Sequence, residues 1–212
     1  MDDAPDVQDD HSMDRSQGAA RAISSFIDPS LNWSDIAWFK SITSMPIVLK
    51  GIQSGEDAVM AAQHGVAGIV LSNHGGRQLD TSRSGIEVLE EVMNSVRAAG
   101  LERKMEIFVD GGIRRGTDIF KALALGAKGV GIGRPFLYAM SAYGVPGVER
   151  AIDILTDELE VTMRLMGCPS LSDIKRNMVI TNSLGSHSGV APEDALTRQT
   201  YQTLAPPPIS KL

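Results

Sequence analysis

The sequence predicts an α/β fold in which parallel strands alternate with helices. Three observations carry that expectation. Four short, largely apolar runs, at 45–52, 67–71, 105–109 and 127–132, are separated by stretches of helical periodicity. Their spacing of roughly 20 to 30 residues is that of linked βα units. The run Ala67-Gly68-Ile69-Val70-Leu71 is apolar throughout rather than alternating, as strands covered on both faces are. Each run also ends in glycine beside a charge or a hydrogen-bonding group: Lys50-Gly51, Ser72-Asn73-His74-Gly75-Gly76, Asp110-Gly111-Gly112 and Gly133-Arg134. In a parallel sheet or barrel those ends share one face, and that face is where α/β folds bind ligands.

Taken in order, residues 1–20 carry Asp2, Asp3, Asp6, Asp9, Asp10 and Asp14 with almost no large apolar groups. Burial there cannot offset the entropy of ordering, so a mobile acidic segment is expected. The folded body is expected over 21–182, with an extended tail over 183–212. Ser30 to Ser41 predicts a capped amphipathic helix with Trp33, Ile36 and Ala37 on one face, and Pro46 forbids its continuation. Met45 to Ile52 predicts a short buried strand presenting Lys50. Ser54, Glu56 and Asp57 open a helix through Gln63 that His64-Gly65 closes. Thr81 to Ala99 predicts a longer helix on Ile86, Leu89, Val92, Met93 and Val96, stopped by Gly100. A buried strand over Met105–Val109 and a helix over Thr117–Leu125 closed by Gly126 follow. Gly147 to Met166 reads as a long helix with Ala151, Ile154, Leu155, Leu159, Met163 and Met166 inward. A short helical piece is expected over Leu171–Met178, and Pro206-Pro207-Pro208 favours an extended strap.

Composition narrows the function classes. At 212 residues and 42% hydrophobic, the chain has material for one sizeable core. Lys+Arg 20 against Asp+Glu 26 leaves a net charge of -6, which argues against a nucleic-acid surface or a polybasic membrane patch. Any anion must be held locally. No apolar stretch is long enough to span a bilayer. The lone Cys168 excludes an internal disulfide and a cysteine-rich metal site, and no metal is expected. Asp2 and Asp3 follow Met1 where a leader would be basic and then apolar, so no targeting signal is expected. The compartment stays open.

The chemistry is expected at the strand ends. His74 can take and return a proton near neutral pH, and Arg77 offers a planar fork of donors suited to a carboxylate. The alternative is a surface loop with a solvated histidine and arginine. Asp110-Gly111-Gly112-Ile113-Arg114 and Gly133-Arg134 supply small residues whose amides can approach a phosphate-like anion, with helix starts behind them and arginines for countercharge. The alternative there is tight turns and surface charge. Asp110 should face a sugar-like hydroxyl or an arginine rather than the anion. Lys50 reads either as a rim salt bridge or as a fixed positive charge beside an electron-rich ring. His11, His64 and His187 are expected to be solvated.

Together, Ile47-Val48-Leu49-Lys50-Gly51, Ser72 to Asp80, Val109 to Gly116 and Gly131-Ile132-Gly133-Arg134-Pro135-Phe136 resemble the FMN-dependent α-hydroxy-acid dehydrogenase and oxidase family. Ser25-Phe26-Ile27-Asp28-Pro29-Ser30-Leu31 is similar to its fungal flavocytochrome branch. The resemblance implies the C-terminal half of a TIM (β/α)8 barrel and FMN as cofactor. By it, His74 is the active-site base and Arg77 binds the substrate carboxylate, with His74 also touching substrate. Lys50 and Ser72 contact the flavin, and Asp110, Gly111, Gly112, Ile113, Arg114, Gly133 and Arg134 hold its ribityl phosphate. The implied reaction oxidises a small L-2-hydroxy acid such as lactate, with cytochrome c or oxygen as acceptor, in a homo-oligomer of the mitochondria or cytoplasm. The family's earlier strands, with a tyrosine near the substrate and an aspartate that orients the histidine, have no matching positions. The chain is therefore expected to be a truncated piece whose activity alone is doubtful, or a non-catalytic flavin- or phosphate-binding half-barrel that acts as an assembly partner.

Overall fold

The computed structural model describes residues 28 and 30–184. The expectations for the acidic segment 1–20, for His11 and His187 and for the proline-ended tail lie outside the described residues. The chain divides into two compact units, one up to Ser44 and one from Met45.

In the first unit, helix α1 runs Asp35–Ile42, several residues later than its predicted start. Asn32 Oδ1 accepts the Ser34 amide at 3.0 Å, and the Asp35 carboxylate accepts the Asn32 amide at 2.7 Å. These side-chain bonds to nearby backbone hold turns where the first helical turn was expected. Thr43 is already extended, so the chain has left the helix before Pro46.

The second unit alternates β1 (Val48–Ile52), α2 (Gly55–Gln63), β2 (Gly68–Leu71), α3 (Gly85–Ala98), β3 (Glu106–Asp110), α4 (Gly116–Ala124), β4 (Gly129–Gly131) and α5 (Arg134–Leu165). The strands pair in parallel in the order β1-β2-β3-β4. Right-handed crossovers between neighbouring strands put α2, α3 and α4 on one face of the sheet. Ile69, Leu71, Ile107 and Val109 point to that face and are buried, as are Val88, Leu89, Val92 and Val96 of α3. Alternate residues, Lys50, Val70 and Phe108, take the opposite face by the two-residue period of a strand and stay partly or largely exposed.

β1 is not the buried strand expected, because among the described residues it is the edge of the sheet. Its register skips between Lys50 and Ile52, with Gly51 at φ 101 as the extra residue. This bulge returns Ile52 to the helix-covered face, where it is buried, while Lys50 keeps the open one.

Helix α3 begins at Gly85 instead of Thr81. The Ser84 amide and hydroxyl both donate to the Glu87 carboxylate, at 2.7 and 2.6 Å, which sets the start. Val88 joins Leu89, Val92 and Val96 in the core, while Ile86 and Met93 are only half-buried. Helix α5 starts at Arg134, earlier than predicted, and breaks at Gly144 (φ 64, ψ -149) just before Pro146 opens its second segment. On that segment Leu159 and Met163 pack against Phe120 and Ala124 of α4, and Leu155 on the same i, i+4 row is buried. Ile154 and Met166, expected inward, fall off that row and are exposed. Two 3₁₀ turns, Leu171–Asp173 and Arg176–Met178, then close over Cys168 with Ile174, Met178 and Val179.

Candidate active site

Three strand ends deliver three polar side chains to the open face: Lys50 from β1, Ser72 after β2 and Asp110 from β3. The Lys50 ammonium donates to Ser72 Oγ at 2.9 Å and stands 3.2 Å from Asp110 Oδ2. Ser72 is only 2% exposed and also accepts the His74 amide at 3.0 Å. A hydroxyl oxygen has two acceptor lone pairs, and both are engaged here. Lys50 is half-exposed at 49%, so its charge remains available above the pair. Asp110 Oδ1 is buried and has no hydrogen-bond partner among the described residues. A buried carboxylate oxygen left unpaired is costly and points to a missing donor. Asp110's protein partner is thus a lysine, where the sequence suggested a hydroxyl or an arginine.

His74 has φ 58, the left-handed region that non-glycine residues seldom enter. The turn around it is built by Asn73, whose Oδ1 and backbone oxygen accept the Gly76 amide at 2.9 and 3.2 Å. Side chains that bond their own backbone two or three residues on are turn formers, so Asn73 had a legible role that sequence reasoning missed. The His74 imidazole is exposed and makes no hydrogen bond among the described residues. Lys50, Ser72, Asn73 and His74 line one cleft of about 550 Å³, with Gln53, Gln78 and Leu79. Gln53 also presents a buried Nε2 without a partner among the described residues, and nothing in the sequence singled it out. Arg77, in the same turn as His74, is exposed and lies outside the residues lining that cleft.

The glycine turns lie beside this cleft. A Cβ on Gly111 would come 3.7 Å from Gly75 Cα, so the turns after β2 and β3 stack, whereas a Cβ on Gly112 or Gly133 would meet nothing within 4 Å. Ile113 buries its side chain and leaves only backbone for a ligand. At the start of α4, behind the glycine turn, the backbone donors are engaged by side chains. The Arg114 and Arg115 amides donate to Asp118 at 3.0 and 3.1 Å, and the Gly116 amide donates to Glu158 at 2.7 Å. Two carboxylates thus satisfy these helix-start donors. Space stays open over Gly112 and over Gly133 at the start of α5, where Arg134 extends its guanidinium to donate to the Gly75 carbonyl.

Residues 2–181 match the FMN-dependent dehydrogenase family. The chain belongs to that family. It is 57% identical over 201 residues to an L-lactate dehydrogenase (cytochrome) of Wickerhamomyces anomalus, covering 94% of this chain and 35% of that protein. The corresponding protein of Saccharomyces cerevisiae is 55% identical over 190 residues, with 90% and 32% covered. A peroxisomal (S)-2-hydroxyacid oxidase of Arabidopsis thaliana is 50% identical, with 82% and 47% covered. Among solved structures, a flavocytochrome b2 mutant with pyruvate bound superposes with a TM-score of 0.77 at 52% identity, over 93% of this chain and 50% of that one. The chain therefore spans about a third of the fungal relatives and half of the flavocytochrome chain. Its four βα units are half of the TIM barrel of those flavin-binding domains, and the family's cofactor is FMN. The residues present fit that group: an orphaned carboxylate oxygen for a polyol hydroxyl, open space over Gly112 and Gly133 for a phosphate, and a half-exposed lysine for an electron-rich ring edge.

Proposed function

We propose that these strand ends serve an FMN-dependent oxidation of a small L-2-hydroxy acid, lactate above all, to the 2-oxo acid, with electrons passed to cytochrome c, oxygen or another acceptor. The observation that carries this reading is the buried Ser72 oxygen, which holds the Lys50 ammonium and the His74 backbone at the mouth of one cleft. FMN, when bound, supplies the two-electron acceptor. His74 takes a proton from the substrate, from its hydroxyl or from its α-carbon. Arg77, without a partner among the described residues, binds the substrate carboxylate through paired N–H donors. Lys50 keeps a positive charge at the cleft, which favours an electron-rich reduced ring. Ser72 touches the ring and fixes Lys50, and Asp110 accepts from a hydroxyl of the cofactor's chain. The backbone of Gly111, Gly112 and Ile113, with Arg114, Gly133 and Arg134, holds its phosphate. The names of the fungal and plant relatives support the substrate class.

The test is to load the chain with FMN and add L-lactate without oxygen. Bleaching of the yellow absorbance is expected, and His74→Gln should keep the yellow colour while slowing bleaching about 10²- to 10⁴-fold. The bare His74 imidazole favours a second reading, since a catalytic base is normally oriented by a third group. In that reading the chain is a non-catalytic flavin-binding half-barrel that acts with an assembly partner. Retained FMN that L-lactate leaves yellow supports it, and failure to retain FMN overturns both.

A further inference from the structure

We propose that Arg134 is a positioning residue for His74, reaching from the end of β4 to hold the turn that carries the imidazole. The proposal rests on the reading of His74 as the base. The Arg134 guanidinium donates to the carbonyl of Gly75, the residue immediately after His74. It lies against the turn, because a Cβ on Gly75 would come 2.9 Å from its terminal nitrogen. The turn after β3 passes beside the same residue, since a Cβ on Gly111 would come 3.7 Å from Gly75 Cα. Among the described residues, Arg134 is the one side chain from another strand end that hydrogen-bonds the turn beyond His74.

The physical need for such a holder is the backbone. A histidine at φ 58 is strained, and strain of that kind persists only where the surroundings over-determine it. Ser72 fixes the turn before His74, Asn73 closes it from within, and Arg134 fixes it from outside through a charge-assisted hydrogen bond. Arg134 is also an anion-seat residue of the proposed function. One side chain then links the place where a phosphate sits to the place where a proton moves.

Limited trypsin digestion of the full flavin-free chain tests this, because the Arg77–Gln78 bond lies in the exposed turn. Arg134 precedes Pro135, a bond trypsin does not cut, so substituting it removes no cleavage site. Arg134→Gln should speed cleavage after Arg77 several-fold and broaden the His74 ring resonances in NMR spectra. Arg134→Lys, which keeps a charged donor, should restore both toward wild type, with cleavage after Lys121 in α4 unchanged throughout. Equal cleavage after Arg77 in wild type and Arg134→Gln overturns the proposal. So does acceleration that Lys121 shares, or an unaltered His74 spectrum. Arg114→Gln separates the two readings, since Arg114 does not bond the turn: weaker FMN retention with normal Arg77 cleavage is expected. If no variant or wild type retains FMN, the flavin reading fails while the cleavage and NMR data still decide the role of Arg134.

Discussion

Ser72 carries more of the site than its size suggests. Its hydroxyl accepts from Lys50 Nζ and from the His74 amide while almost fully buried. Ser72→Ala leaves an ammonium with one partner instead of two and a backbone donor with none. Leaving such groups unsatisfied costs about 1–3 kcal/mol, so the urea midpoint should fall with its slope unchanged. FMN retention should fall with it, because Lys50 loses its fixed position. That Lys50 and His74 face one cleft was legible from their places at or just beyond the ends of apolar runs. The Lys50–Asp110 pair was not, because their separation in sequence says nothing of a 3.2 Å approach between β1 and β3 side chains over Ser72.

At the scale of elements, the helix starts do the positioning. A Cβ on Gly85 would fall 2.4 Å from the Leu71 carbonyl oxygen and 3.1 Å from that of Asp110. The start of α3 is therefore pressed onto the two strand ends that bear the site, with backbone that cannot give way. Gly85→Ala should destabilise the chain by about 1–3 kcal/mol and disturb the cleft, as read by the thermal midpoint and FMN retention. The α2 and α3 starts are tied by Glu91, which pairs with Arg83 and accepts the Gly55 amide at 2.9 Å, while Arg83 also donates to the Gln53 carbonyl at 3.0 Å. The Arg83 guanidinium first, and the Gly55 amide next, hold the Glu91 carboxyl below its ordinary value of 4.5. A lowered value means the folded state favours the ionised form. Its stabilisation is complete above pH 4.5 and is lost as pH falls through the depressed value. Urea titrations from neutral pH downward should show that acid loss, and Glu91→Gln should flatten it. Sequence periodicity found α2 with its Ser54 cap as expected but misjudged the starts of α1 and α3, because local side-chain bonds at Asn32 and Ser84 set where those helices begin.

For the whole molecule, the sheet ends at β1 and β4 among the described residues, and its open face exposes Val48 and part of Phe108. Leu137, Tyr138, Met140 and Tyr143 on the first segment of α5 are exposed as well. Unpaired parallel edges and bare apolar surface favour association. Light scattering of the 212-residue chain should give a mass above that of one chain and rising with concentration. A mass equal to one chain across the concentration range would count against self-association.

Local composition determined much of this protein: four apolar runs, the helices between them and the glycine-and-charge endings gathered at one end of the sheet. Those features follow from side-chain period and turn chemistry, which act over a few residues. The tertiary structure decided what neighbours cannot encode at short range. It made Lys50 the partner of Asp110, engaged the α4 helix start with Asp118 and Glu158, put β1 at an edge among the described residues and sent Arg134 across to the His74 turn. Each of these depends on which strand end lies beside which, and that is settled by packing of the whole sheet against its helices.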